Sequence, residues 1–139
     1  MTDKELALIE GGSISSSPTR PPGTQFLPSP QVLFEPVIEG VEIASVIGDH
    51  KSGPHGTFVR LAPGVRLPLH HYDQPLAGVV VAGNLANPVP GNPASQQTLD
   101  PGSFFSFAAN EPHETNNLGD GFALFFIFQE HPWVLAMDV

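Results

Sequence analysis

From Gln31 onward, apolar and polar residues alternate with a period of two. QVLFEPVI and VEIASVIG show this pattern with β-branched enrichment, and Glu39-Gly40 between them reads as a tight connection. Pro36 has no backbone N–H to give, which places the first of these strands at a sheet edge. After a loop, DHKSGPHG, the run TFVRLA is a further strand, with Phe58 and Arg60 on the face opposite Thr57, Val59 and Leu61. Ala62-Pro63-Gly64 turns the chain into VRLPLHHYDQ, and LAGVVVAG follows as an unbroken apolar strand. NLANPVPGNPASQQ is a loop by its Pro, Asn and Gly content, with a brief pairing expected over Ser95 to Leu99, and Asp100-Pro101-Gly102 is a turn. SFFSFAANEPHETNN and GFALFFIFQE read as two strands joined at Gly119-Asp120-Gly121, the second apolar on both faces and so covered on both.

Upstream the pattern stops. Residues 2–10 have the markings of a helical turn or two, with Thr2 as N-cap and Glu5 as its capping-box partner. The Ser- and Pro-rich stretch that follows builds no core, so residues 1–30 read as a flexible or extended N-terminal arm and 31–139 as the folded domain. Composition sharpens this: 16 Pro and 14 Gly against 5 Lys plus Arg in 139 residues fit one all-β domain of short strands and many turns, not a helical bundle. A net charge of −9 repels phosphate backbones and anionic membranes, which argues against nucleic-acid and membrane partners and for a small-molecule ligand. The apolar stretch in MTDKELALIEGG is too short and acidic for a signal peptide or a membrane span, and the expected location is cytoplasmic.

The candidate chemistry lies in PGVRLPLHHYDQPLAGVVVAG. In an extended strand His70, Tyr72 and Gln74 project to one face, and His71 and Asp73 to the other. His113 follows Pro112 on a second strand-like segment. If the two segments are neighbours in a closed barrel, the imidazoles of His70 and His113 converge. Without cysteine, a metal here would have imidazole, carboxylate, phenolate or amide ligands, a set that suits Zn, Fe, Mn, Ni or Cu without choosing among them. The plainer alternative is one buried, hydrogen-bonded histidine beside an exposed one. Glu111 and Glu114 flank His113 and are placed to orient its ring or act as acid or base. Phe104 and Arg60 are wall candidates from neighbouring strands. His50 and His55 share the glycine-containing loop and read as solvated residues.

Residues 64 to 83 resemble the first cupin motif: Gly, five residues, His, any residue, His, a short gap, Glu, six residues, Gly. Gly64, His70 and Gly83 stand in register. Residues 102 to 117 resemble the second: Gly, five residues, Pro, one, Gly, two, His, three, Asn. Gly102, His113 and Asn117 match, while Ala108 replaces the Pro and Asn110 replaces the Gly, a position where Asn tolerates the left-handed conformation. The run SGPHGTFVRLAPG resembles the approach to the first motif in the ChrR-like branch of cupins.

The resemblance implies a double-stranded β-helix, a jelly-roll barrel of six to eight strands, paired as a homodimer to cover strand edges. It implies a barrel-mouth site for a divalent metal or a small molecule, and His70 and His113 carry over as metal ligands. Tyr72 replaces the second histidine and Leu76 stands in the place of the glutamate, leaving His71, Tyr72 and Gln74 as substitute ligands. Three functions follow: a metal-dependent enzyme of dioxygenase, isomerase or lyase type, a non-catalytic metal- or metabolite-sensing module, and a structural homodimer with a vestigial site.

Overall fold

The structure, a computed structural model, describes residues 23–138. The expected helical turns at 2–10 lie outside these residues. A 3-10 turn at Ser29–Gln31 leads into β1 (Glu35–Ile38), β2 (Val41–Gly48), β3 (His55–Leu61), β4 (Arg66–Tyr72), β5 (Leu76–Ala82) and β6 (Leu85–Ala86). A second 3-10 turn at Pro93–Gln96 precedes β7 (Phe104–Phe107), β8 (His113–Asn117), β9 (Ala123–Gln129) and β10 (Leu135–Met137). A six-stranded sheet in the order β1-β2-β3-β9-β5-β7 faces a four-stranded sheet in the order β10-β4-β8-β6, and the paired strands run antiparallel. Among the described residues no helix is long and apolar enough to cross a membrane.

Alternation decides what is inside. Along β3, His55, Thr57, Val59 and Leu61 are buried while Phe58 and Arg60 face out; along β9, Ala123, Phe125, Ile127 and Gln129 are buried. One end of the interior is aliphatic, filled by Val41, Ile43, Val59, Leu61, Val80, Leu85 and Ile127. Burying each such side chain stabilises the fold by about 1.5–3 kcal/mol. Pro36 lies in β1, which is an edge strand with every residue exposed, and Leu99 pairs briefly with Leu85.

Two local readings differ from the pattern. SFFSFAANEPHETNN is not one strand but two, β7 and β8, in different sheets. Asn110 at φ 63° turns the backbone left-handed, and Pro112 has no N–H for a ladder, so pairing cannot run through this segment. β10 was not visible in the alternation because LAM is short and its burial is partial; pairing with β4 fixes it, Ala136 lying opposite His71. The strand total also exceeds the six to eight expected.

The motif glycines punctuate this frame. Gly64 (φ 75°) ends in open space, whereas a Cβ on Gly83 (φ 83°) would lie 2.8 Å from the Phe122 carbonyl oxygen. Gly64→Ala should therefore cost only the left-handed penalty, about 1 kcal/mol, and Gly83→Ala about twice that because rigid backbone is in the way. Urea unfolding of the two variants checks the order; equal losses would contradict it.

The outer face of the six-stranded sheet is apolar. Phe58 and Phe126 meet edge to face at 4.9 Å, and residues Gln25 to Phe34 lie beside them, bounding a groove of about 510 Å³ with Val46, Phe58, Arg60 and Val81. Arg60 sits here, its guanidinium 3.9 Å from the centre of the Phe34 ring and its Nη2 3.0 Å from Glu42 Oε1.

Candidate functional site

The other end of the interior is polar. A bulge in β4 between Leu67 and His70 adds a residue against β8 and turns His70 inward, where it pairs directly with His113. Both are essentially inaccessible to solvent, and their ring centres lie 4.3 Å apart. Pro68 O accepts from His70 Nδ1 at 2.8 Å, and Glu111 O accepts from His113 Nδ1 at 2.9 Å. A carbonyl can only accept, so both Nδ1 atoms carry the proton, and in the neutral rings both Nε2 atoms present lone pairs. Thr115 Oγ1 lies 3.3 Å from His70 Nε2 as its donor. Burial holds both imidazoles neutral: it lowers the His70 pKa and takes His113 from 6.5 to about 4 against the pull of the Glu111 carbonyl.

Aromatic rings enclose the pair. Phe107 stacks on His113 at 3.6 Å and 9°, and Tyr72 lies 5.9 Å from His70 and 5.8 Å from His113. Trp133, between β9 and β10, covers Tyr72 at 5.9 Å and is held by its backbone N–H to His50 O at 2.8 Å. Burial pushes the Tyr72 phenol up to about 12, with the nearby Trp133 indole opposing it, so the phenol keeps its proton.

On the larger sheet the inward positions are taken by residues that the Gly and Pro around them mark as a solvated loop. His55 is fully buried at the start of β3, and His50 is nearly so. They belong to one hydrogen-bonded chain: His50 Nδ1 to Ser45 Oγ at 2.7 Å, Ser45 Oγ to Thr57 Oγ1 at 2.9 Å, Thr57 Oγ1 to His55 Nδ1 at 2.6 Å, and His55 Nε2 to Gln129 Oε1 at 3.0 Å. At its outer end His50 Nε2 lies 3.7 Å from Glu35. Strand inward-facing parity was the available signal, since His55 is in step with Thr57, Val59 and Leu61; the neighbouring Gly and Pro concealed it.

The remaining candidates are dispersed. His71 points out of the barrel to Asp138, 2.8 Å away, and Gln74 lies in the bend after β4 with no hydrogen bond to either imidazole among the described residues. Glu111 contributes its backbone carbonyl to His113, while its carboxylate accepts from Ala108 N at 3.1 Å. Glu114 alternates outward from His113 and accepts weakly from Asn116. Asn117 is buried as a latch: Nδ2 donates to Ala62 O at 3.0 Å and Gly121 O at 2.8 Å, and Oδ1 accepts from Gly119 N at 3.0 Å. Phe104 is 65% exposed on the edge strand, and Arg60 is on the outer face as described.

These positions test the fit of a metal. Two imidazoles stand side by side, yet among the described residues no group of three or more His, Cys, Asp or Glu could hold an ion. Leu76, where the motif has its glutamate, is a buried core residue, His71 is turned away, and Tyr72 resists ionisation. The donor set falls short of the three protein ligands of an open catalytic centre.

No protein-family model matches the chain, and no curated protein matches it in sequence. Solved structures do. The polyketide cyclase RemF from Streptomyces resistomycificus superposes with a TM-score of 0.67 at 16% identity, over 84% of this chain and 87% of that one. An RmlC-like cupin from Shewanella frigidimarina gives 0.61 at 18% identity, over 78% and 92%. KdgF from Halomonas sp. gives 0.58 at 19% identity, over 75% and 94%. At these identities the likeness carries the fold and no activity. Two antiparallel sheets closing over a His70–His113 pair, in the company of these neighbours, establish that the chain has the cupin jelly-roll fold.

Proposed function

We propose that the chain is a small-molecule-binding cupin whose ligand sits at the polar end of the barrel, with Nε2 of His113 as the open hydrogen-bond acceptor and His70, whose Nε2 accepts from Thr115, beside it. One observation carries this reading. Both Nδ1–H groups are spent on backbone carbonyls two residues upstream, which fixes two neutral imidazoles side by side and leaves the His113 Nε2 lone pair to offer. His113 Nε2 can also take a proton from a bound hydroxyl, the step that isomerase or lyase chemistry would use. A sensing module needs only the binding. The apolar outer face of the six-stranded sheet is the surface through which a homodimer would form.

A second reading keeps the metal, because Nδ1–H anchored on a carbonyl is also how a metal-bound histidine is oriented. Elemental analysis and zinc titration of tag-free protein, beside His113→Ala, separate the two. We expect no stoichiometric metal and weak zinc binding. Near-stoichiometric metal that is lost in His113→Ala would replace the small-molecule reading with a metal centre completed by a ligand from elsewhere.

A further inference from the structure

The two edges of the six-stranded sheet are finished differently. β1 carries Glu35 and Pro36, a charge and a residue with no N–H, and both discourage pairing with another chain. β7, at the other edge, is FFSF and has neither a charge nor a proline.

Register shows which backbone groups of β7 are spent. Ser103 O accepts from Val80 N at 2.9 Å, and the pairs Gly78–Phe105 and Leu76–Phe107 continue in step with it, so Phe105 and Phe107 bond to β5. Phe104 and Ser106 turn their N–H and C=O groups the other way, and these four groups have no hydrogen bond among the described residues. They stand one two-residue repeat apart, about 7 Å, which is the spacing that another extended backbone matches.

A groove of about 470 Å³ runs along this open edge. Its lining includes Phe104 and Ser106 from one face of β7 and Phe105 and Phe107 from the other, and no residue of β5. A space that touches both faces of a strand and not its paired neighbour lies beside the free edge. The opposite wall is the segment after β6, with Asn87, Val89, Ser95 and Gln97. Asn87 in that wall is 6% exposed, and its Nδ2 has no partner. The wall keeps a second barrel from laying its own sheet against β7, and leaves room for a single extended segment.

Charge selects the segment. Glu111 is the one charged residue in the lining, and its Oε1 accepts from Ala108 N, which puts the carboxylate just past the C-terminal end of β7. At the other end Phe104, 65% exposed, offers an apolar surface. In a chain of net charge −9 this arrangement favours a cationic partner.

We propose that the open edge of β7 takes up an extended peptide segment of another protein, which adds a strand in the groove and sets a basic side chain against Glu111. Main-chain hydrogen bonds to Phe104 and Ser106 hold the segment, and Glu111 gives it polarity. The His70–His113 site takes no part in this contact.

The full chain, labelled with 15N, is titrated with the acetylated, amidated pentapeptide lysyl-valyl-threonyl-valyl-threonine and with its counterpart in which glutamate replaces lysine. Before peptide is added, the Phe104 and Ser106 amides should exchange with solvent at least about tenfold faster than those of Phe105 and Phe107. The lysyl peptide should slow the first two saturably, leave the other two as they are, and bind about fivefold more tightly than the glutamyl peptide. Glu111→Gln keeps an acceptor for Ala108 N and should remove most of that preference. Methylating the nitrogens of both valines or of both threonines blocks alternate sides of the peptide, so one form should lose binding and the other keep it. Ser106→Pro removes an N–H that β5 does not use, and should abolish binding while β5 and β7 stay paired.

No change at Phe104 and Ser106 with the lysyl peptide at millimolar concentration, or full binding of both methylated forms, overturns strand addition. Equal binding of the lysyl and glutamyl peptides overturns Glu111 as the selecting group. Protection at Phe104 and Ser106 that is present without peptide and fades on dilution assigns the edge to a second copy of the chain and overturns the peptide.

Discussion

Acidification from pH 7.5 to pH 4.5 should remove on the order of 3 kcal/mol of stability through His113 alone. Its folded pKa is about 4 against an ordinary 6.5, because burial opposes the charged ring. Between those values the unfolded chain binds the proton and the folded chain does not. Stability is therefore complete above pH 6.5, falls as the pH drops through this window, and levels off once the folded imidazole itself protonates. His70 and His55 are lowered for the same reason and add in the same direction. Urea unfolding of the wild type and of His113→Asn at the two pH values makes the comparison. The variant starts lower at neutral pH but should have a visibly flatter profile, while carboxylates contribute equally to both. Parallel profiles would show that His113 binds its proton equally in the folded and unfolded chain, so that burial does not lower its pKa.

Asn117→Ala should cost about 3 kcal/mol, a fall of about 10 °C in Tm for a domain of this size. The side chain is 2% exposed and joins three places at once: the end of β3 through Ala62 O, the following turn through Gly121 O, and its own bend through Gly119 N. Removing it leaves Gly121 O and Gly119 N without this partner, leaves Ala62 O with only the Val65 N–H at 3.2 Å, and opens a cavity where a 2% exposed side chain had been. Asn117→Asp keeps the acceptor and loses the donors, and should recover little of the stability. Differential scanning calorimetry reads both, and a Tm within about 3 °C of wild type would mean that water satisfies the turn.

These two residues also show what the sequence made legible. His113 is legible from its strand-like segment and, with Asn117, from the second motif, and Asn110 stands where a left-handed backbone is expected and has φ 63°. Strand parity placed His70 and Tyr72 on one face and His71 on the other, as their contacts show. Parity says nothing of what stands opposite. Gln129 is the last residue of a strand whose pattern is dominated by phenylalanine, and Trp133 lies beyond it in an irregular segment, so their placement at the site depends on closure of the barrel. Asn117 was legible as a motif residue, but its role as a latch depends on carbonyls fifty residues upstream, a long-range relation that no local pattern encodes.

The place of β9 in the middle of the larger sheet governs how the chain can fold. β3 finds β2 beside it in sequence, but its other neighbour is β9, with Leu61 opposite Ala123 and His55 opposite Gln129. β5 waits for the same strand, and β10 completes the smaller sheet only after that. Closure thus requires long loops to be fixed before the pairings that reward them form, a topology that folds in milliseconds to seconds, not microseconds. During synthesis the apolar edges of β3 and β5 stay open until residue 129 has left the ribosome. A chain stopped before β9 would present both as templates for another chain, and aggregation, not a smaller barrel, is its expected fate.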